Sequence, residues 1–322
     1  MKYYLSIDGG GTKTKAVLID ENYTVVYDDT FGRCNYVVSG KQVITEILEG
    51  ILNGIEVMAG ITQSDITQAF FAIAGFNDIP EDVEIIEDMV ATEFPKLKIT
   101  LGNDTENALV GSLGGKDGIN IVCGTGSIGL GVNEAGEYIR SGGWHHLFGG
   151  DEGSGYWIAC KLILNYTRQS DGRDEKTLLY EYMNDKYDFK DDSDILKLII
   201  YDWEESREKI ASLAKEIYEL AKQNDEVAID IYKNAAKELA DIAIAIKKQI
   251  ANDSKEVVVS YSGGVFNAEH YILEPFGKIL DQHNMKLVKP LYSPVVGGLI
   301  IASKLDEVVI PTSTLEQLNK TL

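Results

Sequence analysis

The segment Asp8-Gly9-Gly10-Gly11-Thr12-Lys13-Thr14 gathers residue types that handle phosphate. Three consecutive glycines carry no Cβ, so the backbone can approach a phosphate closely, and successive N–H groups can form an anion nest. Thr12 and Thr14 offer hydroxyls, Lys13 a cation, and Asp8 a carboxylate suited to Mg²⁺, bound directly or through water. A second glycine loop, Gly124-Thr125-Gly126-Ser127-Ile128-Gly129, satisfies the spacing G-x-G-x-x-G. A dinucleotide fingerprint requires a helix directly after such glycines. Leu130 to Asn133 and the turn Glu134-Ala135-Gly136 read as a hairpin instead, so a second phosphate loop is expected. A Walker A motif is absent: neither Gly10-Gly11-Thr12-Lys13 nor Gly114-Gly115-Lys116-Asp117 matches it.

Two further segments could do chemistry. Gly102-Asn103-Asp104-Thr105-Glu106-Asn107 marks the end of an expected strand and the start of a helix. Asp104 reads either as an N-cap, with Asn107 where a capping box carries Glu, or as a functional carboxylate. Strand C-termini are where ligands gather in α/β sheets, and a lone carboxylate there can accept a hydroxyl proton during phosphoryl transfer. The glycine-rich stretch Gly142 to Trp157 holds Trp144, His145, His146, the acidic pair Asp151-Glu152 and Trp157. Aromatic faces and carboxylates suit the C–H patches and hydroxyls of a sugar. The two adjacent histidines have no third ligand at metal spacing.

The first thirty residues read as three strands: Tyr3 to Ile7, Lys15 to Ile19, and Thr24 to Tyr27. Apolar residues at helical spacing follow over Lys41 to Met58. A strand (Ala69 to Ala74), a helix (Glu81 to Phe94), a strand (Leu97 to Leu101) and a helix from Asp104 complete a sheet covered by helices. The pattern of strand, glycine loop, strand, turn, strand then recurs from Ile119 to Arg140, the two loops lying about 115 residues apart. This predicts two related domains, each offering one glycine loop to a shared cleft. Helical periodicity fills Ile210 to Ile246, Val257 to Tyr261 is a strand running into Ser262-Gly263-Gly264, and Leu299 to Leu305 is the last expected helix.

The chain has 322 residues, a length that suggests two domains, and 44% apolar residues, enough for ordinary cores. A net charge of -21 repels phosphate backbones and anionic lipid, which disfavours nucleic-acid and membrane-surface partners. Cys34, Cys123 and Cys160 fit no metal or disulfide pattern and read as free thiols of a reducing compartment. Met1 to Lys15 lacks the apolar stretch of a signal peptide, so a cytoplasmic location is expected.

In combination and in this order, Ile7 to Thr14, Asp104, Cys123 to Ser127, Gly143-Trp144, Gly150 to Trp157 and Ser262 to Val265 carry a resemblance over nearly the whole chain. It resembles the N-acetylglucosamine kinase family, a BadF/BadG/BcrA/BcrD ATPase-like branch of the sugar kinase/Hsp70/actin superfamily. Glucosamine kinases, N-acetylmuramic acid kinases and BadF-type ATPase activators are relatives. The resemblance implies an α/β protein of two ribonuclease H-like (actin-like ATPase) domains, each a mixed five-stranded sheet flanked by helices, with an interdomain cleft. The expected division is 1–114 plus 300–322, closed by the C-terminal helix, and 115–299 with a helical insertion.

The same resemblance implies ATP-dependent phosphorylation of an amino sugar at its 6-hydroxyl: N-acetylglucosamine, with N-acetylmuramic acid as a second substrate. Glucosamine kinase and partner-activating ATPase are the alternatives. ATP and Mg²⁺ are the implied cofactors, and a homodimer is expected. Gly10, Gly11, Thr12, Lys13, Thr125 and Gly126 match positions that hold ATP phosphates, Gly263, Gly264 and Val265 match the adenosine pocket, and Asp8 the Mg²⁺ position. Asn35, Asp104, Ser127, Gly143, Trp144, His145 and Asp151 match sugar contacts, with Asp104 as catalytic base. The segment His145 to Gly150 is one residue longer than the family's spacing, and the cysteine-rich zinc motif of another bacterial sugar-kinase branch is missing. Muramic acid carries a lactyl carboxylate, for which Arg33 and the His145-His146 loop are the candidate cations.

Overall fold

A computed structural model describes residues 1–251 and 254–322. The chain divides into two compact units, Met1–Lys116 with Lys289–Leu322, and Asp117–Val288. The return into the first unit thus falls at Lys289, ahead of the boundary at residue 300 expected from the sequence.

The first unit contains β1 (Tyr3–Gly9), β2 (Thr14–Asp20), β3 (Val25–Phe31), α1 (Tyr36–Ser39), α2 (Gln42–Ala59), β4 (Gln68–Ile73), α3 (Pro80–Glu93), β5 (Ile99–Asn103) and α4 (Asp104–Leu113). Its five strands lie in the order β3-β2-β1-β4-β5; β1 pairs antiparallel to β2 and parallel to β4. The central strand is buried on both faces, which is why Tyr4 to Ile7 is nearly continuous in apolar residues. Leu5 and Ile7 pack with Ile44, Leu48 and Ile51 of α2 and Ile86 and Val90 of α3. On the opposite face, Tyr4, Val17 and Phe70 pack with two later helices described below.

The second unit contains β6 (Gly118–Cys123), β7 (Ser127–Val132), β8 (Tyr138–Gly142), α5 (Gly155–Ser170), α6 (Leu178–Tyr187), α7 (Asp194–Lys197), α8 (Arg207–Ala211), α9 (Ala214–Lys222), α10 (Glu226–Ile250), β9 (Val257–Ser262), α11 (His270–Gln282) and β10 (Met285–Leu287). Its strand order, read from the other edge, is β8-β7-β6-β9-β10. The pairings repeat those of the first sheet: β6 is antiparallel to β7, β7 to β8, while β6–β9 and β9–β10 are parallel. The inferred repetition of the strand–loop–strand pattern is therefore a repetition of topology. Asp225 caps α10 by accepting from the Ala228 N–H at 2.8 Å.

The chain ends in the first unit with α12 (Pro294–Leu305) and α13 (Thr312–Thr321), whose Val296, Leu299, Leu315 and Leu318 cover the second face of that sheet. The sequence reading starts α12 at Leu299 and stops the fold there; the helix begins five residues earlier, with Pro294 at its first turn, and a further helix follows. Gly297 and Gly298 look like loop residues in the sequence but lie inside α12, because a helix crosses there. A Cβ at Gly297 would sit 2.1 Å from the Asn107 carbonyl oxygen, and one at Gly298 2.1 Å from Ser6 Oγ. These glycines let α12 settle directly against α4 and β1. No helix among the described residues is long and apolar enough to cross a membrane.

Candidate active site

In the first unit, three sequence-predicted residues stand at the carboxyl ends of parallel strands. Asp8 ends β1 one residue before Gly9, Asn35 bridges to Ala74 just past β4, and Asp104 follows β5. The capping frame differs from the expected one. Strand β5 runs on to Asn103, which is the N-cap of α4. Its Oδ1 accepts from the Thr105 N–H at 3.0 Å, and Glu106 Oε1 accepts from the Asn103 N–H at 2.9 Å. The capping box is Asn103–Glu106, so Asp104 is not used as the cap.

Asp104 and Asp8 are both half-buried and electrostatically coupled. Burial pushes the Asp104 carboxyl up to about 7, with the charges of Asp8 and Asp78 adding to the rise and the Thr105 N–H opposing it. Burial likewise pushes Asp8 up to about 6, against the lowering effects of Asn107 and Lys13. Asn107, fully buried on α4, donates from Nδ2 to Asp8 Oδ1 at 3.1 Å. Cys34 lies nearby with its thiol pushed up to about 12 by burial and by Asp104, which makes it an inert packing residue.

The loop Gly10 to Lys13 closes on itself through the Gly10 N–H to the Lys13 carbonyl at 3.0 Å, and Thr14 Oγ1 donates to the Gly32 carbonyl at 2.8 Å. None of the three glycines takes positive φ, so the alternating backbone of an anion nest is not what they supply. They supply room. A Cβ at Gly9 would meet the Ala72 carbonyl oxygen at 2.7 Å, whereas Gly11 faces open space. Thr12 and Lys13 are exposed beside it.

A cavity of about 540 Å³ opens in the second unit. Thr125, Gly264 and Val265 line it as the sequence suggests for an adenosine and phosphate pocket; Gly126 and Gly263 adjoin these residues without forming its walls. Its far wall was illegible in the sequence: Ser212, Lys215, Tyr218, Tyr232 and Asn267. Gly263 is demanded by geometry, with φ +103 and a hypothetical Cβ 2.3 Å from the Cys123 carbonyl oxygen. The Gly124 loop is fixed to the start of α5, since the Gly155 and Tyr156 N–H groups donate to the carbonyls of Gly124 and Thr125 at 2.9 and 3.2 Å. The volume is that of a small-ligand site.

Of the sugar-contact candidates in this unit, Ser127 and Asp151 meet. The Ser127 N–H donates to Asp151 Oδ1 at 3.2 Å, and Ser127 Oγ donates to the Glu152 carbonyl at 2.6 Å. Asp151, 5% exposed and with φ +63, also receives Arg207 Nη2 on Oδ2 at 2.5 Å. Arg207 had no sequence signal. Gly143, with φ +71, turns the chain; Trp144 (75% exposed) and His145 project into solvent, the Arg140 guanidinium 5.9 Å from the Trp144 ring. His146 packs edge-on to Tyr156 at 4.8 Å.

Among the described residues no three His, Cys, Asp or Glu side chains gather into a metal cage. Mg²⁺ needs none when it arrives with a nucleotide, since one or two carboxylates plus phosphates and water complete its shell. Asp8, a carboxylate whose burial disfavours its charge until a cation arrives, fits that role.

The fold is that of actin-like ATPases and sugar kinases. A solved structure from Chromobacterium violaceum, described as that of a candidate N-acetylglucosamine kinase, is 22% identical with TM-score 0.74, covering 94% of this chain and 99% of its own. A hexokinase of the ROK family from Thermus thermophilus is 16% identical with TM-score 0.58, covering 95% and 100%. Residues 5–302 match the BadF/BadG/BcrA/BcrD ATPase family, and the chain belongs to it. Among its relatives, an N-acetylmuramic acid/N-acetylglucosamine kinase of Clostridium acetobutylicum is 34% identical over 94% of this chain and 98% of the relative. An N-acetyl-D-glucosamine kinase of Dictyostelium discoideum is 29% identical over 93% and 97%.

Proposed function

We propose that the chain is an ATP-dependent sugar kinase that transfers the γ-phosphoryl group to the 6-hydroxyl of an N-acetylated amino sugar, N-acetylglucosamine and N-acetylmuramic acid. The carrying observation is Asp104: a carboxylate at a strand end, released from capping by Asn103, coupled to Asp8 and titrating near neutrality. Phosphoryl transfer passes through a loose transition state, so positioning and electrostatics suffice and no covalent nucleophile is needed. Asp104 orients the sugar hydroxyl and takes its proton as the new O–P bond forms and the γ-phosphorus parts from the bridging oxygen, which leaves with ADP. Asp8, aligned by Asn107, would hold Mg²⁺, which would supply charge neutralisation for the transferred phosphoryl group. Gly10, Gly11, Thr12, Lys13, Thr125 and Gly126 contact those phosphates, and Gly263, Gly264 and Val265 pack on the adenosine. Asn35, Ser127, Gly143, Trp144, His145 and Asp151 contact the sugar.

The test is ATP consumption by the purified chain with N-acetylglucosamine, N-acetylmuramic acid, glucosamine or glucose, and with no sugar. A kinase consumes ATP only when its sugar is present. Consumption that ignores every sugar would assign the chain to the partner-activating ATPases instead.

A further inference from the structure

Two buried polar atoms without partners lie on residues within electrostatic reach of each other in the second unit: Arg207 Nε and His146 Nδ1. Arg207 spends only Nη2 on Asp151. A guanidinium has five N–H groups, so most of its donor capacity is uncommitted. An orphaned buried donor is costly and calls for an explanation. The two residues interact electrostatically, and both also face Asp151 and Tyr156. The guanidinium further packs onto Gly126, where an added Cβ would lie 2.6 Å from Nη2.

The setting explains what such a pair is for. The chain carries a net charge of -21, so an anionic substrate meets a repulsive field and needs a local cation to bind. Arg207 is that cation: Asp151 fixes the fork by one nitrogen, and the remaining donors stay free for a planar oxyanion. His146 stands on a segment bounded by glycines with positive φ at 142, 143 and 149, a backbone path that side-chain-bearing residues adopt only at a cost.

We infer that Arg207 and His146 form a carboxylate subsite beside Asp151, which admits amino sugars bearing an acidic ether substituent such as the lactyl group of muramic acid. This rests on the kinase reading above, with Asp151 and Ser127 at the sugar. In this arrangement Arg207 Nε–H and His146 Nδ1–H donate to the two oxygens of the sugar carboxylate. Arg207 sets substrate choice and takes no part in the proton transfer.

The experiment is steady-state kinetics of the full chain with saturating ATP and either N-acetylmuramic acid or N-acetylglucosamine, for wild type, Arg207→Gln, Arg207→Lys and His146→Ala. Losing a hydrogen bond between charged partners lowers kcat/KM for the acidic sugar about 10- to 100-fold relative to the neutral one, through KM. Arg207→Lys restores part of that ratio, and His146→Ala, a change on a loop outside the core, lowers it even if Arg207→Gln does not fold. A ratio that stays constant across the variants overturns the subsite and leaves Arg207 as a support for Asp151. Wild-type activity on the neutral sugar alone overturns the subsite but not the kinase; activity on neither sugar overturns both.

Discussion

Asp104 stands one residue inside the helix that Asn103 caps, so the cap and the acid are separate residues. The N–H groups of the first turn, which normally need an acceptor, are served by Asn103 and partly by the Asp104 carboxylate itself. That leaves the acid at the positive end of a helix dipole, which opposes the rise caused by burial and keeps its titration close to neutral pH.

Asp104→Asn should therefore remove the base while preserving the fold, because the capping box survives. A fall in kcat of about 10²–10⁴ is expected, the range for general-base groups. Binding of a fluorescent ATP analogue should stay near wild type; unchanged turnover would remove Asp104 from the mechanism.

The same carboxyl predicts a pH dependence. With Asp104 near 7, kcat should rise as pH climbs through about 7 and the base loses its proton. Stability runs the other way. A carboxyl whose folded pKa lies above its unfolded value favours folding when protonated, so stability is lost as pH rises from about 4 towards 7. Asp104→Asn should accordingly melt higher than wild type at pH 8, with the gap closing near pH 4. Equal melting differences at both values would contradict the buried placement of the acid.

Gly298→Ala tests how the second face of the sheet supports Asp8. Its Cβ would press on Ser6 Oγ and on Asn107 Oδ1, the latter 2.8 Å away. Overpacking of this kind costs about 1–3 kcal/mol, read as a lower urea midpoint. Displacing Asn107 also removes the donor that holds down the Asp8 titration, so the apparent Mg²⁺ requirement should rise.

Two neighbouring glycines should behave oppositely. Gly264→Ala meets no atom within 4 Å and should fold normally while raising KM for ATP, since the new methyl group enters a cavity wall. Gly263→Ala meets the Cys123 carbonyl and an unfavourable φ, so it should lower the melting temperature first. The reverse ranking, with Gly263→Ala the milder change for folding, would contradict the backbone placement.

Local pattern made much of this legible. Asp8 and its glycines follow a short buried strand, and the recurrence of that unit around Gly124 announces the second sheet. The capping frame was ambiguous because Asn103 and Asp104 are both good N-caps, and only the length of β5 decides between them. Gly297-Gly298 suggest a loop because isolated propensity disfavours glycine in helices; close crossing with α4 and β1 overrides it. Arg207 and the cavity wall around Lys215 were invisible, since their proximity to Asp151 and Thr125 arises from folding of the helical insertion and leaves no spacing to read.

The matching strand orders carry one more consequence. By pairing register, Asp8 in β1 and Val122 in β6 occupy the same rung, each one residue before the last antiparallel partner. One sheet thus carries a carboxylate at that rung and the other an apolar valine. Backbone equivalence therefore does not extend to charge: a cation finds a side-chain oxygen ligand at the end of β1 and none at the same rung of β6.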